Sequence, residues 1–379
     1  MKILLCGGGT GGHITPILAI AHEIKEISPS TEVSYIGESG SKFVNLVDDN
    51  QDIDHVLRVH AGKLRRYHKQ SWLERFLDFK TNMLNIRDLF RVISGFLESV
   101  YLLIRYRPNV ILLKGGYVGL PVGLAAALLR IPFITHDSDA MASLTNSLVG
   151  KWALYNTTGA HKKYYKYKEH KIITIGVPVS DNYVHVDYKI KNNFREMLKI
   201  PIKSKMIFIT GGSLGASEIN KAFVSIYEDI IKHYPDINIV HQVGRGKLDV
   251  YEGKKINNRT QVKEFLDGMY RYSAAADVVI TRASATALAE LAVQGKPVIV
   301  IPNPNLTGGH QIVNGAEISK NNAGIVISEI DLIRNPELLL KSIFRLLDNE
   351  KFSKELSDNI SKLAILDAAE QTAELLLKI

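Results

Sequence analysis

The sequence predicts a two-domain α/β protein built on parallel sheets, and three observations carry that expectation. The length of 379 residues exceeds one ordinary core. Short apolar runs alternate with longer amphipathic ones, the pattern of strands covered by helices on both faces. A strand, a glycine-rich loop and a helix follow one another twice, once from Ile3 and again from Met206, about 200 residues later.

In the first half, Ile3–Cys6 reads as a strand and Thr15–Ile27 as a helix with Pro16 near its first turn. Val33–Ile36, Val110–Leu113 and Phe133–Thr135 read as further strands, with a small-residue helix from Val122 to Arg130. The order then restarts: strand Met206–Thr210, glycine turn Gly211–Ala216, and a helix from about Glu218 to His233. Ile237–Gln242, Val278–Thr281 and Val298–Ile301 are the later strands. The break falls near Val177–Lys191, giving domains over 1–180 and 190–363. The last helix, about 364–379, is expected to pack back on the first domain.

Composition narrows the class. A hydrophobic content of 46% and a charged content of 23% are those of a soluble globular protein. The single cysteine, Cys6, has no internal partner and fits a reducing compartment. The apolar N-terminus is too short for a signal segment. The run Tyr117–Leu129 falls short of the roughly 20 residues that cross a bilayer. A cytoplasmic protein without a membrane-spanning helix is expected. The net charge of +8 resides mostly in residues 1–180, which carry +7. Such an excess suits nucleic acid, an anionic membrane surface or an anionic substrate.

The glycine loops suggest phosphate chemistry. Gly7 to His13 follows a strand and opens a helix, so the backbone can approach a ligand and the helix start offers N–H groups. The alternative is a structural tight turn. The loop is not the dinucleotide fingerprint, because no acid ends the second strand, read as stopping at Tyr35-Ile36-Gly37, and it is not a G-x-x-x-x-G-K-[ST] loop. His13 reads as a general base, a phosphate donor or a helix-start residue without chemistry. Gly211–Ala216 repeats the device, with Ser213 placed to donate to a phosphate. Ser284, Ala285 and Thr286 form another phosphate-suited helix start, and Glu290, one to two turns on, reads either as a partner within reach of a ribose diol or as an ordinary exposed helix glutamate. Gln311 and Asn314, in the loop after Pro302, read as sugar-hydroxyl contacts or as ordinary surface.

Gly-Gly-Thr-Gly-Gly-His at 8–13, Gly-Gly-Tyr-Val at 115–118, Gly-Gly-Ser-x-Gly-Ala at 211–216, the Arg282–Glu290 cluster and His310-Gln311-x-x-Asn314 occur in one order. That order, over nearly the whole chain, resembles the MurG family of peptidoglycan glycosyltransferases. The resemblance implies a GT-B fold, two Rossmann-like domains facing each other across a cleft. It implies inverting transfer of N-acetylglucosamine from UDP-N-acetylglucosamine to the muramyl 4-hydroxyl of an undecaprenyl-diphosphate-linked acceptor, lipid I to lipid II. It places Thr10, Gly11 and Gly12 near the donor sugar, His13 and Tyr117 on the acceptor side, and Ser213 on donor phosphate. It further places Leu266 against uracil through its backbone, Ala285, Thr286, Ala287, Leu288, Ala289 and Glu290 around the diphosphate and ribose, and Gln311 on the sugar. His13 and Asp137 are the candidate bases. No cofactor and no obligatory metal are implied.

Four departures stand out. His136-Asp137-Ser138-Asp139 replaces the family's His-Glu-Gln-Asn, and Ser180 replaces an arginine, so donor contacts at Asp139 and Ser180 are the least secure. Leu214 and His310 each stand where a glutamine is usual.

Between Ala61 and Arg107, ten Lys/Arg interleave with Trp72, Phe76, Phe79 and other apolar residues. This basic amphipathic stretch reads either as a membrane-surface anchor or as core residues with a solvated charged face. The polyprenyl-linked acceptor that the resemblance implies favours peripheral attachment to an anionic membrane surface, at the cytoplasmic side of the plasma membrane. No nucleic-acid-binding motif accompanies the charge. The competing readings are a GT-B synthase acting on diacylglycerol, a UDP-N-acetylglucosamine 2-epimerase, an inactive sugar-nucleotide binder and a basic nucleic-acid-binding module.

Overall fold

A computed structural model describes the chain apart from residues 10, 41–43 and 64–77. The described residues divide into two compact units: Met1–Ser180 with Asp367–Ile379, and Asp181–Leu366.

The first unit is built on strands β1 (Lys2–Cys6), β2 (Glu32–Glu38), β3 (His55–Val59), β4 (Val110–Leu113), β5 (Phe133–Asp137), β6 (Tyr155–Thr158) and β7 (Ile172–Thr174). They pair in the order β3-β2-β1-β4-β5-β6-β7, all parallel. Its helices are α1 (Gly11–Ile27), α2 (Val44–Asp48), α3 (Phe79–Tyr106), α4 (Gly119–Leu129), α5 (Leu144–Val149) and the C-terminal helix Ala368–Leu377. Alternation across the pleat sends Ile3 and Leu5 to one face and Leu4 and Cys6 to the other. Ile3 and Leu5 meet Ile14, Ile17, Ile20 and Ile24 of α1 and Ala373 and Leu376 of the C-terminal helix. Leu4 and Cys6 share a second cluster with Ile111, Leu113, Leu103 and Val122, Ala125 and Ala126 of α4. Small residues along α4 allow α3 to approach it closely.

The second unit repeats the plan. Strands β8 (Met206–Thr210), β9 (Asn238–Gln242), β10 (Thr260–Lys263), β11 (Val278–Thr281), β12 (Val298–Val300) and β13 (Ile325–Val326) pair in the order β10-β9-β8-β11-β12-β13, again all parallel. Its helices begin with α6 (Tyr188–Met197), α7 (Ser217–Ser225), α8 (Tyr227–His233), α9 (Met269–Ala275), α10 (Ala285–Gln294) and α11 (His310–Lys320). Buried Arg195 of α6 ties the sheet base together: it donates to the carbonyls of Ala275, Ile202 and Ser204 and to Asp277 at 2.8 Å. Asp277 in turn accepts the Met206 N–H at 2.6 Å.

In each sheet the strand order reverses once, between β1 and β4 and between β8 and β11. Outside the carboxyl ends of those strands, parallel sheets leave a crevice that binds ligands.

Four elements differ from the sequence reading, one being the loop read over 302–315: from His310 on it is helix α11, with Gln311 and Asn314 buried. Helix α1 starts at Gly11, four residues early, so Pro16 lies inside it and supplies no N–H to the ladder. The helix expected over 218–233 is two, broken at Ile226 (φ −102°, ψ 0°). The break accompanies burial of Tyr227, whose hydroxyl lies 2.9 Å from Thr260 Oγ1. Strand β2 runs on to Glu38, because Gly37 and Glu38 pair with Arg58 and Val59 of β3. An acid therefore does end the second strand, contrary to the sequence reading.

Candidate active site

In the first unit two loops leave the switch point side by side. Gly7 to Gly9 follow β1, and Gly11, Gly12 and His13 form the first residues of α1. After β4, the Lys114 N–H donates to the Cys6 carbonyl at 2.8 Å, and Gly115-Gly116-Tyr117 turns over the first loop. A Cβ on Gly116 (φ +76°) would sit 2.7 Å from the Gly8 carbonyl and 3.7 Å from the His13 ring. Both backbone angle and space therefore require glycine there. The Tyr117 ring lies against Gly9, and its hydroxyl donates to Glu38 at the end of β2. Tyr35 donates to the Gly7 carbonyl from below. His13 is half-buried at this junction. Thr10 lies outside the described residues.

Strand β5 delivers His136 and Asp137. Asp137 Oδ1 accepts the Ser143 N–H at 2.8 Å and Asn146 Nδ2 at 2.9 Å, and Oδ2 accepts the Tyr167 hydroxyl at 2.6 Å. Burial pushes its pKa up to about 6, against the lowering effect of those donors and of Lys114. Both carboxylate oxygens are thus committed to protein donors that fix the start of α5. Asp139 is half-buried, and its carbonyl accepts the Tyr165 hydroxyl at 2.7 Å. Ser180, half-buried, is the last residue of the unit's main segment.

In the second unit the loop after β8 is held from beneath and open above. A Cβ on Gly215 (φ +67°) would overlap the Val243 carbonyl, whereas nothing lies within 4 Å of that position on Gly212. The Gly212 N–H donates to Thr210 Oγ1 at 3.0 Å. Ser213 is half-buried and Leu214 is exposed. Gln242, at the end of β9, donates to the Gly212 carbonyl at 3.1 Å and accepts the Leu266 N–H at 3.0 Å, which links Leu266 to the glycine loop.

From β11 the chain enters α10 through Ser284. Ala285, Thr286 and Ala287 form its first turn, and Leu288, Ala289 and Glu290 follow. The first-turn amides and the helix dipole make this end attractive to anions. Glu290 is buried, and its carboxyl accepts a hydrogen bond from the Tyr183 hydroxyl. Burial pushes the Glu290 pKa up to about 8 despite that bond. Gln311, near the start of α11, accepts the Asn303 N–H at 2.9 Å, and Asn314 donates to the Ala283 carbonyl at 2.9 Å. Arg282 pairs with buried Glu329 and donates to the Ile301 carbonyl at 3.2 Å, fixing the approach to α10.

The structure therefore brings Gly11, Gly12, His13 and Tyr117 together at one switch point, and Ser213, Leu266, Ala285–Glu290 and Gln311 around the other. Sequence reading missed Lys114, Tyr183, Gln242 and Tyr167. Lys114 carried a signal, a lone cation between the apolar run Val110–Leu113 and two glycines. The other three owe their place to tertiary pairing alone.

Residues 3–156 match the glycosyltransferase family 28 N-terminal domain, and residues 206–372 its C-terminal domain. The UDP-N-acetylglucosamine–N-acetylmuramyl-(pentapeptide) pyrophosphoryl-undecaprenol N-acetylglucosamine transferase of Clostridium perfringens is 33% identical over 353 residues, covering 92% of this chain and 91% of its own. The chain belongs to the MurG family. It has the GT-B fold: the crystal structure of Acinetobacter baumannii MurG matches with a TM-score of 0.68 at 23% identity, over 100% of this chain and 99% of that one. A UDP-N-acetylglucosamine 2-epimerase from Neisseria meningitidis, bound to UDP-N-acetylglucosamine, matches with a TM-score of 0.69 at 14% identity, over all of both chains. Fold alone does not separate MurG from the epimerases; sequence kinship along the whole chain does.

Proposed function

We propose that this MurG-family chain moves N-acetylglucosamine from UDP-N-acetylglucosamine to the 4-hydroxyl of undecaprenyl-diphosphate-linked N-acetylmuramyl-pentapeptide, with inversion, the lipid I to lipid II step of peptidoglycan synthesis. The observation that carries the reading is kinship at 33% identity over 92% of the chain. In the step, the acceptor oxygen bonds to the anomeric carbon as the bond to the UDP oxygen breaks. The proton leaves to a base and the electron pair leaves with UDP.

The reading gives the acceptor diphosphate and the base to the first switch point. His13 is the base: it stands beside both glycine loops, whereas Asp137 spends its oxygens on Ser143, Asn146 and Tyr167. Asp137 then holds the loop that carries Asp139. Tyr117 lines the acceptor side. Thr10, Gly11 and Gly12, and more weakly Asp139 and Ser180, complete the donor-sugar surroundings. The second switch point takes UDP. Ser213, the amides of its loop and the first turn of α10 meet the phosphate charge, and Glu290 takes the ribose diol. Leu266 reads uracil through its carbonyl, since its N–H serves Gln242. Gln311 reads the sugar. UDP release, followed in separate reactions with lipid I and with diacylglycerol, tests the reading; release driven by diacylglycerol and not by lipid I sinks it.

The same reading places the enzyme peripherally on the cytoplasmic face of the plasma membrane. Among the described residues no helix is long and apolar enough to cross a membrane. Helix α3 instead carries an exposed apolar stripe, with Met83, Ile86, Phe90, Ile93, Leu97 and Tyr101 recurring every three or four residues. Phe79, 74% exposed, starts the stripe, while Trp72 and Phe76 lie outside the described residues. An apolar groove of about 490 Å³ between α3 and α4 reaches Trp152. Arg87, Arg91, Arg105 and Lys151 lie on the same elements or adjoin them. Inserting one such side chain into a bilayer contributes about 1.5–3 kcal/mol. The double variant Phe90→Ser/Leu97→Ser should therefore bind anionic vesicles at least tenfold more weakly, with unchanged turnover on a soluble acceptor. Wild-type binding should weaken with salt; equal binding to neutral vesicles at every salt concentration removes the electrostatic part.

A further inference from the structure

The chain buries a lysine beside its acceptor loop. Lys114 is 2% exposed, directly between β4 and the Gly115-Gly116 turn. Its Nζ donates to Ser138 Oγ at 2.7 Å, and Ser138 Oγ lies 3.4 Å from His136 Nε2. The charged groups that act on it are Asp137 and Asp139. A buried ammonium is costly unless opposite charge and hydrogen bonds surround it. Asp139 adds a second carboxylate to Asp137 within electrostatic reach of the lysine.

We propose that Lys114 is a positioning residue for the acceptor site, its ammonium holding Ser138 and balancing Asp137 and Asp139 so that the 138–143 loop keeps its place against Gly115 and the Gly115-Gly116 turn keeps its seat on Gly8 and His13. The proposal deepens the transferase reading and rests on it. Three contacts transmit the effect. The Lys114 N–H anchors to Cys6, Gly116 lies on the Gly8 carbonyl and the His13 ring, and the Lys114 Cβ lies 3.3 Å from where a Cβ on Gly7 would stand, beside the nearer Ile17 Cδ1 at 2.5 Å.

The groups facing this ammonium can be named. From β5 and the loop after it come His136, Asp137 and Asp139; Tyr167 and Tyr165 donate to Asp137 and to the Asp139 carbonyl; at the first glycine loop the His13 carbonyl lies beside Gly7, whose own carbonyl accepts the Tyr35 hydroxyl. His136 is held well below the usual range by burial and then by Lys114, so it stays neutral through the relevant span. Burial lowers the Lys114 pKa to about 8, with the two acids opposing. Function that needs the ammonium is therefore present below pH 8 and lost above it. Stability moves the other way. The unfolded lysine titrates near 10.4, so the cost of charging the buried group disappears between about pH 8 and pH 10.

The test is the pH profile of kcat/KM for a soluble lipid I analogue, with wild type, Asp139→Asn, Lys114→Met and the double variant. Wild type should lose activity with an apparent pKa near 8. Asp139→Asn, with one counter-charge removed, should move that limb down by at least half a unit. Lys114→Met should lose the limb, fall at least tenfold in acceptor kcat/KM and keep its donor KM; adding Asp139→Asn should restore several-fold. A flat wild-type profile from pH 7 to 9.5, an unmoved limb in Asp139→Asn, or no rescue in a folded double variant overturns the proposal. Thermal unfolding of wild type and Asp139→Asn between pH 7 and 10 needs no acceptor. If wild type transfers nothing to the analogue yet its stability gain above pH 8 moves to lower pH in Asp139→Asn, the charge cage stands and the transferase reading fails; a gain identical in both proteins belongs to another buried lysine such as Lys296 and counts against the cage.

Discussion

Replacing His13 with alanine should lower turnover by about 10²–10⁴-fold, the usual contribution of a positioned general base. The fold should survive, because α1 is held by Ile14, Ile17, Ile20 and Ile24 against β1 and not by the imidazole. The loss should appear in kcat and in kcat/KM for the acceptor together, since proton transfer is made in the transition state. Donor KM should stay near wild type, because the uridine and diphosphate contacts are given to the second unit and His13 itself to the acceptor. Asp137→Asn supplies the contrast. Its carboxylate accepts from Ser143, Asn146 and Tyr167, so the amide should destabilise the protein more than it slows the chemical step. Unchanged turnover for His13→Ala on a soluble acceptor removes His13 from the mechanism.

Glu290→Ala should raise the donor KM by on the order of 100-fold, because two hydrogen bonds from a ribose diol to a carboxylate are worth about 1.5–3 kcal/mol each, partly offset by freeing Tyr183. The free protein holds this carboxyl near pKa 8 through burial, while a diol that donates twice favours the charged form. UDP affinity should therefore rise from pH 6 to pH 8, and Glu290→Gln should flatten that dependence. Stability has the opposite sign. The folded state binds the Glu290 proton more tightly than the unfolded chain, whose glutamate titrates near 4.3, so this group's contribution is lost as pH rises from about 4 to about 8. Glu290→Gln should then be the more stable protein at pH 8 while binding UDP less well, the usual cost of keeping a functional charge in a buried place. Calorimetric titration with UDP and thermal unfolding at pH 6 and pH 8 check both halves.

The two-sheet plan was legible because parallel sheets impose a loud pattern. Ile3–Cys6 and Met206–Thr210 are buried on both faces, so they are apolar without alternation, and each is followed by glycines that no core would need. Edges were harder to read. Strand β2 continues through Gly37 and Glu38 only because β3 is there to pair with them, and helix α1 begins in glycines whose intrinsic preference opposes a helix. The break at Ile226 is likewise tertiary: Tyr227 finds a buried site and a partner in Thr260. The site divides in the same way. Gly116 and Gly215 announce themselves, since a close backbone approach leaves glycine in the sequence. Gln242, Tyr183 and Tyr167 do not, because their bonds reach Leu266, Glu290 and Asp137 across distances that spacing does not encode.

The product formed from UDP-N-acetylglucosamine and lipid I tests the central claim most directly. Mass spectrometry should find the acceptor heavier by one N-acetylhexosamine residue, and NMR should find that residue β-linked to the muramyl 4-oxygen. An unmodified acceptor alongside free UDP, an epimerised sugar nucleotide, or an α-linked product would contradict the account.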